Sequence, residues 1–348
     1  MTTESRPLVS VVTPVYNGER YLRQCIESVL AQTYQHWDYT IVNNRSTDGT
    51  LAIALEYAAR DPRIRIHNNQ QFVRVIENHN IAFRQISPDS EYCKPLAADD
   101  WLFPECLERM VALAEQDERV AIVGAYGLSG TEVVWVGLPY LDGTAIARGQ
   151  EACRLRLLGG PYVFGTPTSV LYRSAILRLR HAFYNEANIH ADAEACLEFL
   201  GEYGFGFVHQ VLTCTRVRDD SLTSVSRRLN TYLPSVVYEL LKYGGKFLSE
   251  PEVQRRIAVR LEEYYRYLGR QVYRRRGREF WDFHRQKLAE LGYPLSVPGV
   301  AAAALAYALD IVLNPKSSTE AVLRRVRLRI RTAIDSGGFA GKQAGTSA

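Results

Sequence analysis

Short apolar runs and helical patterns alternate along the first 125 residues. Residues 9–12 form a β-branched run that stops at Thr13 and Pro14, as a strand would. Leu22, Ile26, Val29 and Leu30 share one face of a helix over residues 21–30. Residues 39–42 read as the next strand, and a helix starts at 48–50, carried by Leu51, Ile53, Ala54 and Leu55. Residues 63–66 and 92–96 are the third and fourth strands. Pro104 stands where a first-turn proline belongs and opens a helix over 105–115; residues 120–125 are a fifth strand. This alternation predicts an α/β fold with a mostly parallel central sheet flanked by helices. Residues 126–224 are less regular. They predict a strand at 131–136, a helix at 149–158, an extended stretch at 162–172, a helix at 192–200 with acids in its first turn, and short strands at 205–208 and 211–216. From about Leu229 the pattern is helical, and the Gly/Ala/Ser-rich end at 336–348 reads as a flexible tail.

In an open α/β sheet, ligands bind at the carboxyl ends of the strands. Three informative segments fall there. The first is Thr13-Pro14-Val15-Tyr16-Asn17-Gly18-Glu19, where a tyrosine at the strand edge can lie against a nucleobase. The second runs from Asn43 to Thr50, and its amides and hydroxyls suit the edge of a uracil or thymine ring. The third, from Leu96 to Pro104, ends an apolar strand on Asp99 and Asp100. Adjacent carboxylates repel unless a cation joins them, and Mg²⁺ or Mn²⁺ suits hard oxygen ligands and bridges to phosphates. Each segment alone also reads as an ordinary strand-to-helix turn, with Asn17, Ser46, Asp48 or Asp100 as a cap. The Gly-x-Gly spacing of a dinucleotide site is absent.

Taken together and in order, VSVVTPVYNGERYLRQCIESVLAQTY, YTIVNNRSTDGT and LAADDWLFPECLE resemble the family 2 glycosyltransferases, inverting enzymes with the GT-A fold. The resemblance is strongest over residues 8–125 and weaker to about 224. It implies a nucleotide-sugar-binding half at 1–125 and an acceptor half at 126–224. It implies nucleotide-sugar contacts from Thr13, Pro14, Tyr16, Asn44, Asp48, Ala98 and Asp99, and a divalent metal (Mn²⁺ or Mg²⁺) on Asp99 and Asp100. Asp192 matches the family's general base, with Glu194 and Glu186 as neighbouring alternatives. Arg216 and Arg218 lie in the closing segment, where a basic residue approaches the diphosphate. The chain departs from the pattern at Asn43 and Asn44, where two aspartates are usual, at Ala97, where the metal motif usually begins with an acid, and at Arg218, where a histidine is common. The implied partners are a nucleoside-diphosphate sugar, with UDP or dTDP favoured, and a glycan or lipid-linked acceptor in surface-polysaccharide or glycoconjugate assembly. Two other classes stay open. One is a catalytically silent nucleotide-sugar-binding module. The other is a different nucleotide-using α/β transferase, though residues 13–19 lack the positive charge that would cradle phosphates.

Charge adds a second region. Residues 1–224 carry 20 Lys+Arg against 27 Asp+Glu, whereas residues 225–348 carry 22 against 11. The basic helical stretch 225–335 therefore suits an anionic partner. In it, Val322, Val326, Ile330 and Ile334 recur among arginines, a pattern suited to an anionic membrane surface through 322–334, to a solvated face, or to a contact in a homo-oligomer. No nucleic-acid module is recognised, so nucleic acid is not an expected partner. Six isolated cysteines without a CxxC pair point to buried core thiols in a reducing compartment. No leader-like apolar stretch follows the N-terminus, so the expected location is cytoplasmic, peripheral on the inner membrane face if 322–334 binds lipid.

Overall fold

A computed structural model of the chain describes residues 6–134, 145–217 and 222–314, the side chains of 222–224 excepted. Arg218, the segment 322–334 and the tail 336–348 lie outside the described residues. The chain divides into two compact units, Met1–Ile257 and Ala258–Ala348.

The first unit opens with β1 (Val9–Val15), α1 (Glu19–Leu30), β2 (Trp37–Asn43), α2 (Thr50–Ala58), β3 (Ile64–Asn68) and α3 (Val75–Phe83). It continues with β4 (Tyr92–Pro95), β5 (Trp101–Leu102), α4 (Cys106–Ala114), β6 (Val120–Ser129), β7 (Glu132–Val134), β8 (Ile146–Arg148) and α5 (Gly149–Leu157). A 3-10 turn at Pro167–Ser169 leads into β9 (Val170–Arg173), α6 (Ser174–Arg178), α7 (Ala191–Phe199), β10 (Gly204–Thr215), α8 (Leu222–Leu229) and α9 (Tyr232–Phe247). The strands form one sheet in the order β3-β2-β1-β4-β9-β6-β10-β5, with β7 on β6 and β8 on β10. β3, β2, β1 and β4 are parallel, and so are β6 and β10. β9 runs antiparallel between β4 and β6. The carboxyl ends of β1, β2, β4, β6 and β10 therefore share an edge with the start of β9.

The interior explains this order. β1 and β2 are buried along nearly their whole length, as strands covered on both faces must be. Leu22, Cys25, Ile26 and Val29 of α1 pack onto them, and Met110 and Val111 of α4 join the same core. All six cysteines are buried free thiols, as their isolation suggested.

Several elements differ from the sequence pattern, which did not show β5, β8 or α6. The strands expected at 205–208 and 211–216 are one strand, β10, whose register with β6 shifts between Val208 and Val211. A bulge there breaks the apolar run without ending the ladder. α3 was not anticipated, because its face is built of asparagine as much as of apolar residues. Asn78 and Asn80 are buried there, with Asn80 exchanging hydrogen bonds with the Tyr184 backbone.

The first unit also runs past residue 224. α9 packs on α5 through Arg156 and Glu239, which are 2% and 3% exposed. Arg156 Nε and an Nη donate to the two Glu239 oxygens at 3.1 and 3.2 Å, and the other Nη donates to Tyr232 Oη at 2.6 Å. Gly149, which starts α5, approaches the Tyr203 carbonyl so closely that a Cβ would lie 2.1 Å from it. The second unit holds α10 (Glu250–Tyr273) from Ala258 on, α11 (Arg278–Glu290) and α12 (Val297–Leu313). Tyr264 Oη and His284 Nδ1 hydrogen-bond at 2.6 Å in its interior.

A buried ion pair is expected to be costly to break and cheap to replace. Glu239→Ala should lose about 3–5 kcal/mol in urea unfolding, whereas Arg156→Met/Glu239→Leu should lose much less. Equal losses for the two variants would show that the pair itself, not an orphaned charge, carries the packing.

Candidate active site

Two loops at the carboxyl edge are tied together by protein hydrogen bonds. Asn17 Oδ1 accepts from Thr47 N at 2.8 Å, and Ser46 Oγ accepts from Asn17 N at 3.0 Å. Gly18 N donates to Thr50 Oγ1 at 2.8 Å. Asp48 accepts from Glu19 N at 3.1 Å, and Glu19 in return accepts from Gly49 N at 2.8 Å. Asp48 also accepts from Thr50 N at the start of α2. Both Asp48 oxygens are thus engaged, one across the two loops and the other at the start of α2. Asn17 and Arg45 hold left-handed backbone at φ 50° and 60°, which non-glycine residues rarely adopt outside constrained sites.

Beside this join, Tyr16 is half exposed and packs edge-on against Phe72, with ring centroids 4.8 Å apart. Phe72 escaped the sequence reading; its signal was a lone aromatic in the polar run Asn69-Gln70-Gln71. Asn44 fixes it in place indirectly. The Asn44 amide is buried, donates to Val73 O at 2.8 Å, and accepts from Val73 N and Asn69 Nδ2 at 3.0 Å. The expected base-reading amide is therefore occupied by protein, and it braces the segment that presents Phe72. Asn43 is likewise engaged, with Asn68 Oδ1 and Ser46 N. Thr13 lies wholly inside, its hydroxyl on Tyr39 Oη at 2.8 Å, so its side chain is core and only its backbone lies near the edge. Pro14 is partly buried in the same strand.

The two adjacent aspartates have different fates. Asp100 turns inward and is 4% exposed. One of its oxygens accepts from Thr168 Oγ1 at 2.6 Å and the other from Arg216 N at 3.0 Å. Burial, reinforced by the neighbouring Asp99 charge, pushes its carboxyl up to about 7. Asp100 was expected to share a metal with Asp99; in the structure each of its oxygens accepts from a protein donor. Thr168 is held in turn. Its hydroxyl accepts from Ala97 N, and its carbonyl accepts from the buried Lys94 ammonium, which also donates to Val170 O at 2.9 Å. Burial pulls the Lys94 ammonium down. Neither Lys94 nor Thr168 was recognised from sequence.

Asp99 and Ala98 stay half-exposed at the edge. Arg216, just past the end of β10, lies against Asp99. Its Nε donates to Asp99 O at 3.0 Å and an Nη to Gln24 Oε1 at 2.6 Å, while the guanidinium lies 4.5 Å from the Tyr21 ring centroid and 5.0 Å from that of Trp101. A guanidinium held this way is a fixed cation for phosphate oxygens. Among the described residues no group of three His, Cys, Asp or Glu side chains could hold a metal. One carboxylate at the edge, Asp99, still fits an Mg²⁺-like ion that takes its other ligands from diphosphate and water.

Asp192 stands in the first turn of α7. Burial raises its carboxyl to about 6, with Glu239 adding to the rise and Arg156 opposing it. Its electrostatic neighbours include Tyr162, Tyr172 and Tyr184. Glu194, the alternative base, is 2% exposed and receives Asn185, Asn188, Tyr238, Tyr243 and Lys242. It is a structural anchor. Glu186 accepts from Asn80 Nδ2, and His190 shares a hydrogen bond with Thr231 Oγ1 at 2.9 Å.

The sheet order, with its parallel carboxyl edge and the antiparallel β9 inserted between β4 and β6, is that of a GT-A fold. Solved structures share it. S. aureus TarS 1–349 in complex with UDP-GlcNAc is similar at a TM-score of 0.61 and 17% identity, covering 81% of this chain and 80% of that one. Mannosyltransferase PcManGT from Pyrobaculum calidifontis, in complex with GDP-Man and Mn²⁺, is similar at 0.52 and 15%, covering 88% and 81%. Residues 10–179 match the family model "Glycosyl transferase family 2". Putative glycosyltransferase EpsE of Bacillus subtilis (strain 168) is 33% identical over 161 residues, 41% of this chain and 57% of that protein. The matches span 57%, 38% and 33% of the length of three such curated relatives.

The raised Asp100 carboxyl has a signature in stability. Its folded value of about 7 lies above the roughly 3.9 of an unfolded aspartate. Between the two the folded state holds a proton the unfolded state has lost, so this contribution is full below the lower value and is lost as pH rises toward the upper. The stability difference between wild type and Asp100→Asn should therefore fall between about pH 4.5 and 6.5, by up to about 1.4 kcal/mol per pH unit, in metal-free denaturation series. A flat difference would place the ionised carboxylate in the folded protein throughout.

Proposed function

We propose that this chain is an inverting glycosyltransferase that moves one sugar from a nucleoside-diphosphate sugar to an acceptor hydroxyl. The observation that carries the reading is the division of labour around Asp99. Asp99 stays at the edge beside a fixed Arg216, while a second carboxylate, Asp192, is poised near neutrality on α7. The base would lie against the exposed Tyr16 ring, which Phe72 braces edge-on, with the diphosphate toward Asp99 and Arg216. A divalent ion on Asp99, when bound, would offset charge on the leaving diphosphate; the Mn²⁺ in the PcManGT complex supports this choice.

In the reaction, the Asp192 carboxylate takes the proton of the acceptor hydroxyl. The acceptor oxygen forms a bond to the anomeric carbon from the face opposite the diphosphate. The bond from that carbon to the diphosphate oxygen breaks in the same step, and its electron pair leaves with the nucleoside diphosphate. Arg216 stabilises that developing charge from a position fixed beforehand, so little reorganisation is needed at the moment of transfer. Arg218, beyond the described residues, is a second candidate cation.

The UDP and UDP-GlcNAc bound by TarS support a uridine donor, with dTDP as the near isostere. The acceptor we favour is a glycan or lipid-linked glycan in surface-polysaccharide assembly. TuaG of Bacillus subtilis (strain 168), a putative teichuronic acid biosynthesis glycosyltransferase, is 45% identical over 64 residues and supports that setting.

The test is turnover of a panel of UDP-, dTDP- and GDP-sugars, followed by release of nucleoside diphosphate with Mn²⁺ present. Asp192→Asn should lower kcat by roughly 10²–10⁴-fold while leaving donor binding intact. The base works ionised, so wild-type activity should fall as pH drops through about 6. Residual Asp192→Asn activity should lack that limb. An unchanged kcat would remove Asp192 from the chemistry, and no release from any donor would favour a silent binding module.

A further inference from the structure

The second unit carries a surface that sugar transfer does not use. α12 is 17 residues long and has one charged residue, Asp310. A helix on a water-facing surface turns its apolar stripe inward and its polar face out. Here Val300 and Ala304 are the inward residues. Gly269 of α10 meets the α12 backbone so closely that a Cβ would lie 2.6 Å from the Ala303 carbonyl carbon. At 100° per residue, Ala302, Leu305, Leu309, Val312 and Leu313 fall on the opposite side. Leu305 is 61% exposed, Val312 72% and Leu313 74%. The outward face is therefore apolar too. An apolar face of this kind marks a partner rather than a solvated surface.

Its border has a definite chemistry. A groove of about 510 Å³ runs beside α12, lined among others by Val272, Tyr273, Trp281, Arg285 and Leu295. Tyr273 is half exposed, with its hydroxyl donating to Ala304 O at 2.9 Å. The Arg270 guanidinium lies 5.5 Å from the Tyr307 ring centroid. Arg274, Arg275, Arg276 and Arg278 follow the end of α10. Asp282 pairs with Arg278 and Arg285, whereas Arg274, Arg275 and Arg276 make no ion pair among the described residues. A leucine face, tyrosine and tryptophan rings, and unpaired arginines are what an anionic bilayer interface accommodates: acyl chains for the first, the headgroup boundary for the rings, phosphate for the arginines. A second copy of the chain would bring its own arginines against these. α12 is shorter than the about 20 apolar residues of a spanning helix, and no helix among the described residues is long and apolar enough to cross a membrane.

We propose that α12 and the arginine-rich turn at 274–278 form a face that lies on an anionic phospholipid surface, in its plane. This inference stands on the second unit alone and does not depend on the donor or acceptor.

The test uses the full chain and vesicles of phosphatidylcholine with or without phosphatidylglycerol. The wild type should sediment with the anionic vesicles and far less with the neutral ones. Leu305→Glu/Leu309→Glu should weaken that partition by roughly tenfold or more at an unchanged melting temperature. Because all six native cysteines are buried, an environment-sensitive dye can be placed on Leu309→Cys alone. It should shift to the blue on adding anionic vesicles, while the same dye on Leu55→Cys, an exposed site in the first unit, should not. Vesicle binding unchanged in the double glutamate variant would overturn the proposal. So would equal binding to neutral vesicles, no binding at all, or a dye shift that follows protein concentration without lipid, which would assign the face to a second copy.

Discussion

A carboxylate sealed at the end of an interior strand must find donors or keep its proton, because an unpaired charge in a dry interior is costly. Asp100 does both in part. It receives Thr168 and Arg216, and its carboxyl still rises to about 7. Those two donors come from the turn before β9 and the residue after β10, so one buried acid brings three distant stretches to one edge. Lys94 completes the arrangement from beneath by holding the Thr168 carbonyl. Arg216 is thereby delivered to Asp99, and the site acquires a fixed cation next to its exposed acid. The charge that faces ligand depends on the charge that does not.

The same economy holds at the proposed nucleotide end. Residues whose chemistry suggested ligand contact are largely spent on the protein itself. Asp48 and Glu19 close two loops on each other, and Asn44 acts as a backbone surrogate for Val73. This leaves Tyr16 and Phe72 as the exposed surfaces in a frame that cannot relax far. A preformed frame lowers the entropic cost of capturing a nucleotide.

The fold was legible because its signals are local. β-branched runs, Pro104 before α4 and the alternation of strand and helix all act within a few residues; α1, β2 and α4 lie within two residues of their expected bounds at either end, and β1 runs three residues past its expected end. α3 was hidden because buried asparagines replace the apolar stripe that would have announced it. The antiparallel insertion of β9 was hidden because strand direction is set by pairing across the chain. Within the site, the order of the three motifs located the edge. Which aspartate faces out could not be read, since Asp99 and Asp100 are identical in type and are distinguished by Thr168 and the Arg216 amide, 68 and 116 residues away from Asp100. Glu194 and Asp192 posed the same problem, and in the structure five side chains converge on Glu194.

The division between the two adjacent aspartates is the central claim, and calorimetric titration of UDP, dTDP and GDP with and without Mn²⁺ tests it most directly. One nucleoside diphosphate should bind more tightly with the metal. Asp99→Ala should abolish the metal-dependent gain, while Asp100→Asn, which keeps an oxygen for the Arg216 amide, should retain most of it. Loss in Asp100→Asn with retention in Asp99→Ala would reverse the assignment of the two carboxylates, and the absence of binding by every nucleoside diphosphate would contradict a donor site at this edge.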